Sequence, residues 1–154
     1  MIAFVDGDLL ASRADMLVNA VNCAGVMGAG IALAFRRRHP DMFDDYRRVC
    51  LAGRLRPGRL HVWRLPDGRR IVNLPTKRHW RDGSRYGDID AGLAALRTCI
   101  ERFEPASVAV PALGCGCGGL DWQRIAAMIR ATLVDLDARI LFYQPRASRS
   151  FLSS

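Results

Sequence analysis

Short β-branched runs alternate with longer amphipathic stretches along the chain, and this alternation limits the possible folds more than any other feature. Apolar runs at 2–5, 17–21, 60–65, 70–74, 107–113 and 139–143 are bounded by Gly, Pro or Asp, as strands are. Several lack a clean alternation of apolar and polar positions, the pattern of strands covered on both faces. Between them, Ile89, Leu93, Leu96, Ile100 and Phe103 recur at helical spacing and are closed by Pro105. Trp122, Ile125, Ile129, Leu133 and Leu136 repeat the pattern behind Asp121, which suits an N-cap. Residues 31–35 and 42–49 form an earlier helical region broken at Pro40. The expected fold class is α/β, a three-layer α/β/α domain with a central mixed six-stranded sheet. Mixed direction follows from Pro66-Asp67-Gly68, a hairpin turn joining 60–65 to 70–74. No repeat, low-complexity tract or linker interrupts the chain, so a single domain over residues 1–154 is expected, frayed in the polar stretch from Arg146.

Whole function classes drop out at this level. No apolar run approaches the ~18 residues of a membrane span, and the opening MIAFVDGDLL meets an acid too early for a signal peptide. Five cysteines, an odd count at mixed spacings, speak against a disulfide framework and for a reducing, cytoplasmic setting. Cys115 and Cys117 are not at zinc spacing, and His39, His61 and His79 form no ligand motif, so no metal is expected.

The charge is distributed unevenly. The net charge is +8, yet residues 36–85 hold 15 of the 23 basic groups and 5 of the 15 acids, a local +10 against −2 elsewhere. A polyanionic partner is one reading, because neutralised phosphates release counterions. Arginines spread over a solvated face are the other. Within this count, 22 basic residues are Arg and one, Lys77, is Lys. A lone Lys marks either chance or a position that needs an amine able to lose its proton and act as nucleophile or base.

Two glycine-rich loops follow strands. The first, residues 22–30, reads Asn22-Cys23-Ala24-Gly25-Val26-Met27-Gly28-Ala29-Gly30 and runs into a helix; the second, residues 114–119, precedes the helix at Asp121. Each is either a tight turn or an anion cradle, since glycines let backbone N–H groups approach a phosphate at a helix N-terminus. Neither matches the P-loop or the dinucleotide pattern. Asp8, after Gly7 at a strand end, suits either a cap or an acceptor for an exocyclic amine. Trp80 among Arg78, His79 and Arg81 is the combination that stacks a single-stranded base, or equally a lid over the core.

These residues, taken together, resemble the macrodomains, modules that bind ADP-ribose. Gly7-Asp8-Leu9 followed by Leu17-Val18-Asn19-Ala20-Val21-Asn22 is similar to the family's opening motif. The stretches Val21 through Leu33, Asn73-Leu74-Pro75-Thr76-Lys77-Arg78-His79-Trp80-Arg81, and Val110 through Gly116 with Gly119 through Trp122 resemble the DarG branch. Members of that branch are bacterial antitoxins that remove ADP-ribose from thymidine in single-stranded DNA, opposing a DarT-like toxin.

The resemblance implies a set of roles. Asp8 would receive the adenine amine beside Leu9, with Tyr143 against the ring. Gly25, Val26, Met27, Gly28, Gly30 and Ile31 would enclose the diphosphate from one side, and Leu113, Gly114, Cys115, Gly116, Cys117, Gly118 and Gly119 from the other. Asn22 would hold the distal ribose hydroxyls and Lys77 would be the catalytic lysine, a pair carrying the reaction. Arg78, His79, Trp80, Arg81 and Arg85 would meet the DNA and its base. No cofactor is implied. A related human hydrolase of protein-linked ADP-ribose places a catalytic Asp where Gly118 stands here. The expected activity is therefore DNA ADP-ribosyl glycohydrolysis. The alternatives are hydrolysis of protein-linked ADP-ribose esters or O-acetyl-ADP-ribose, and reading of ADP-ribose without cleavage.

Overall fold

In the computed structural model, residues 1–145 are described; the stretch from Arg146 expected to fray lies outside them. Six strands, β1 (Ile2–Val5), β2 (Met16–Asn22), β3 (His61–Arg64), β4 (Arg70–Lys77), β5 (Ser107–Pro111) and β6 (Arg139–Tyr143), form one sheet in the order β1-β6-β5-β2-β4-β3. All neighbours run parallel except β3, antiparallel to β4 at one edge across the expected Pro66-Asp67-Gly68 turn. Four helices, α1 (Gly30–Arg38), α2 (Pro40–Leu51), α3 (Tyr86–Phe103) and α4 (Trp122–Leu133), cover the two faces, and a 3-10 turn spans Leu9–Ala11. The three-layer α/β/α fold with a mixed sheet is the one expected.

Alternation along β2 divides the core. Met16, Val18 and Ala20 pack with α3 and α4, while Leu17 and Val21 pack with α1, α2 and the 3-10 turn. Both faces being covered explains why β2 and β4 show no clean alternation of apolar and polar positions. Gly92 in α3 permits the close approach of β4: a Cβ there would lie 2.7 Å from Leu74 Cδ2.

Three boundaries differ from the periodicity. Leu136 falls outside α4, which closes at Val134, because the apolar pattern continues into the loop that packs on the core. Pro40 does not break one helix but starts α2 at its first turn, where a missing N–H costs nothing. The strand expected at 70–74 continues to Lys77 despite Pro75. A proline inside a central strand removes a ladder bond and is tolerated at an irregularity. The ladder shifts register here, pairing Val21 with Pro75 but Asn22 with Lys77, so Thr76 is the extra residue, its hydroxyl donating to the Val21 carbonyl at 3.5 Å. Among the described residues no helix is long and apolar enough to cross a membrane.

Candidate functional site

Adjacent strands β2 and β5 send their chains to opposite faces: β2 leads to α1, packed on one side, and β5 to α4, packed on the other. Such a divergence opens a crevice at the carboxyl ends of parallel strands, where ligands of open α/β sheets sit. A cleft of about 530 Å³ occupies that place. Asn22, Val26, Gly28, Ala29, Gly30, Ile31 and Ala32 line it from the first loop and α1; Thr76, Lys77 and Trp80 from the end of β4; Pro111, Ala112, Gly114, Gly116, Cys117 and Gly118 from the second loop. Both glycine loops, the lone lysine and the tryptophan thus share one cavity.

The N-terminus of α1 forms one wall. Ala29 caps it without a side-chain bond, and no acid lies in its first turn. Backbone N–H groups and the positive end of the helix dipole are left for an anion. Gly30 takes φ +55°, a left-handed value that favours glycine at the turn into the helix.

Asn22 is buried at the end of β2, and its amide is heavily used. Oδ1 accepts from Ala24 N–H at 2.9 Å, from Val26 N–H at 3.4 Å and from the Tyr46 hydroxyl at 3.0 Å, and Nδ2 donates to the Val26 carbonyl at 2.8 Å. An amide nitrogen has two hydrogens, so one N–H of Asn22 stays available at the cleft. Lys77 Nζ donates to the Trp80 carbonyl at 3.2 Å and has no ion-pair partner among the described residues.

After Lys77 the chain makes a tight turn in which His79 Nδ1 accepts the Arg81 N–H at 3.1 Å. Trp80, 44% exposed, stacks on His79 at 5.3 Å between ring centroids, and the Arg81 guanidinium lies 4.5 Å from the Trp80 ring centre. This places a planar aromatic surface between an imidazole ring and a guanidinium at the cleft mouth. Arg78 reaches Asp88 at 3.4 Å, and Arg85 is exposed at the N-cap position of α3.

The second loop is packed from behind. Ser84 N–H donates to the Gly118 carbonyl at 3.0 Å, and a Cβ on Gly118 would collide with Ser84 Oγ and the Gly114 carbonyl. No side chain fits at Gly118 unless the loop moves. An aspartate side chain, which the resemblance to the human hydrolase would put at this position, therefore has no room in this loop.

Asp8, Leu9, Gly25, Met27, Leu113, Cys115, Gly119 and Tyr143, also singled out by sequence, are not among the residues that line the cleft. Asp8 caps the 3-10 turn, its Oδ1 accepting the Leu10 N–H at 3.0 Å. Leu9 is buried in the core, and Tyr143 packs half-buried against the same cluster at the end of β6. Gly25, at φ +83°, packs on α2 against Arg47 and Cys50. Met27 and Leu113 are fully buried, turned from their loops into the core. Cys115 is half-buried, and burial pushes its thiol up to about 11, whereas Cys117 is exposed. Gly119 makes a turn at φ +76°. Thr76 and Tyr46 were not singled out by sequence: Thr76 reads as one more strand residue, and Tyr46 as one more apolar position of an amphipathic helix.

Known proteins place this geometry. A DNA ADP-ribosyl glycohydrolase of Mycobacterium tuberculosis is 44% identical over 149 residues, covering 94% of this chain and 42% of that protein. The chain thus spans less than half the length of that curated relative. The solved macrodomain of Mycobacterium tuberculosis DarG superposes with a TM-score of 0.91 at 45% identity, covering 94% of this chain and 98% of that one. Thermosipho africanus DarTG in complex with ADP-ribose superposes with a TM-score of 0.88 at 30% identity, covering 95% and 42%. The family model of the macro domain matches residues 18–129, a stretch that holds both glycine loops, Asn22 and Lys77. The chain belongs to the macro domain family.

Proposed function

We propose that this chain binds ADP-ribose in the cleft and removes it from a base of single-stranded DNA. One observation carries this reading: the chain's only lysine lies in register with Asn22 at the wall of a cleft that has an uncapped helix N-terminus on one side and a glycine loop on the other. From β1 to β4 there are four strand gaps. At ~4.8 Å each, the row of carboxyl ends is roughly 19 Å long. ADP-ribose lies along that row. Adenine sits at the β1 and β6 end by Asp8, Leu9 and Tyr143, the diphosphate between the two loops, and the distal ribose at Asn22. Trp80 and the neighbouring arginines receive the base and the DNA strand.

Holding both phosphates and the distal hydroxyls fixes the anomeric carbon beside Lys77, and positioning of this kind supplies several kcal/mol. The unprotonated lysine amine attacks that carbon. The bond to the base nitrogen breaks with its electron pair on the nitrogen, which takes up a proton. Water then releases ADP-ribose from the lysine. The activity's counterpart is an enzyme that attaches ADP-ribose to DNA, a DarT-like toxin.

The test is incubation with an ADP-ribosylated single-stranded oligonucleotide and, in parallel, with an ADP-ribosylated acidic protein. Release from DNA alone is the expected outcome. Release from the protein alone would put an ester hydrolase in its place, and binding without release a reader.

A further inference from the structure

Asn22 is held by two kinds of contact, and they differ in what they fix. The bonds to Ala24 and Val26 run from this last residue of β2 to the loop that follows it, so they set the amide relative to that loop. The Tyr46 bond crosses to another element. The Tyr46 hydroxyl, on α2, lies 2.7 Å from the Asn22 carbonyl oxygen and 3.0 Å from Oδ1, sharing its single proton between main chain and side chain. Tyr46 is fully buried among residues of the α1–α2 core, so its ring cannot drift. Burial, with Cys50 nearby, raises its pKa and keeps the hydroxyl a donor at every working pH. Among the described residues this is the single side-chain hydrogen bond that ties Asn22 to a different element.

We propose that Tyr46 is a positioning residue: it anchors the Asn22 amide to α2 so that the remaining N–H is presented to the distal ribose. This rests on the ADP-ribose reading of the cleft. The physical reason is that a small displacement of a positioning group costs rate out of proportion to its distance. The β2–β4 ladder holds the Asn22 main chain, but bonds to the following loop alone would let its side-chain amide turn with that loop.

Tyr46→Phe keeps the ring and its packing and deletes the donor. The informative pair of ligands is ADP-ribose and ADP, because ADP lacks the distal ribose. By calorimetry, the variant is expected to bind ADP-ribose about tenfold more weakly, the size of one lost hydrogen bond, with ADP affinity changed less than about twofold. Release of ADP-ribose from the modified oligonucleotide should fall further than ADP-ribose affinity does. Thermal melting on the same samples identifies a folding defect. Equal losses for both ligands, with or without a lower melting temperature, or no loss for either, would overturn the positioning role. Wild-type protein that binds ADP-ribose no more tightly than ADP would instead overturn the reading of the cleft, and the positioning role with it.

Discussion

Asn22 and Lys77 are register partners at the carboxyl ends of β2 and β4, brought level by the extra residue Thr76. Without that shift, the pairing Val21–Pro75 would be followed by Asn22–Thr76, and Lys77 would lie one position beyond the end of β2. The irregularity therefore sets which side chains meet at the cleft, a common use of bulges next to sites.

Lys77→Ala and Lys77→Arg are both expected to abolish release of ADP-ribose from DNA while leaving its binding largely intact. Arginine is the informative replacement: it keeps the charge and approximate reach but cannot give up its proton. Trapping with borohydride should yield a covalent adduct in the wild type alone. Substantial turnover by Lys77→Arg, measured as ADP-ribose released per minute, would leave the lysine an electrostatic role only.

Gly118 and Gly116 make a matched pair in one loop. A methyl group at Gly118 meets Ser84 Oγ and the Gly114 carbonyl, whereas nothing lies within 4 Å of one at Gly116. Gly118→Ala should lower stability by about 1–3 kcal/mol through forced displacement. ADP-ribose affinity should fall more than tenfold with it. Gly116→Ala should stay within about 0.5 kcal/mol. Urea denaturation of both variants checks this, and equal midpoints would contradict the packed loop.

Thiol chemistry reports on the cleft directly. Burial pushes Cys115 up to about 11; burial with Cys50 and Asp88 does the same for Cys23. Roughly one in a thousand of each is thiolate at pH 8, and the thiolate is the nucleophile. Cys117 is exposed and lines the cleft. Iodoacetamide should therefore modify Cys117 first, and saturating ADP-ribose should slow that reaction. Peptide mapping by mass spectrometry checks both; first modification at Cys115 would contradict the burial.

How much of this was legible in the sequence depends on the range of the interaction. The N-cap at Asp121 and the faces of α3 and α4 follow from local spacing, and all three appear in the structure. The two glycine loops were visible because glycine marks unusual backbone wherever it falls. That they face one shared cleft followed from no local pattern; the family resemblance alone suggested a diphosphate between them. Met27 and Leu113 carry no local sign that they turn inward; their apolar character says so only once a core exists beneath the loop. Tyr46 and Asn22 are 24 positions apart on different elements, and nothing local connects them. The Asn22–Lys77 pairing depends on an irregularity that no alternation pattern encodes.

Salt should separate the two parts of the substrate. Arg81 has no ion-pair partner among the described residues and lies at the cleft mouth with Trp80, whereas Arg78 is shared with Asp88. Each single-strand phosphate neutralised adds ~0.7 to the slope of log affinity against log salt. Modified oligonucleotide should show a slope steeper than that of free ADP-ribose by roughly 2, about three phosphates' worth. Arg81→Gln should remove about one phosphate's share. Identical slopes for the two ligands would remove DNA tracking from the account.

A polar chain that runs from β2 to the surface at Asp45 contributes to stability in acid. Asn19 Nδ2 donates to Asn73 Oδ1 at 3.0 Å, Asn73 Nδ2 lies 2.9 Å from His61 Nδ1, and His61 Nε2 lies 2.7 Å from Asp45 Oδ2. Asn73 Oδ1 already accepts from Asn19, so its nitrogen faces the imidazole and His61 Nδ1 is the acceptor. The His61 proton is then on Nε2, aimed at Asp45. These three bonds run in one direction, ending on the Asp45 carboxylate, and each polarises the next. The His61 bond holds the Asp45 carboxyl below the usual carboxylate range, with Arg48 adding to it. A carboxyl whose pKa is lower folded than unfolded adds stability above its unfolded value, about 3.9, and loses it as pH falls through the folded one. Asp45→Asn should therefore melt about 2–4 °C lower at neutral pH, the shift that ~1 kcal/mol produces in a domain of this size. That gap should narrow as pH falls below the unfolded value and close only once pH is below the lowered folded one, where the wild-type carboxyl is neutral as well. Melting curves of the two proteins from neutral pH downward give the comparison. A gap that stays constant into acid would mean that Asp45 contributes by packing and not through its charge.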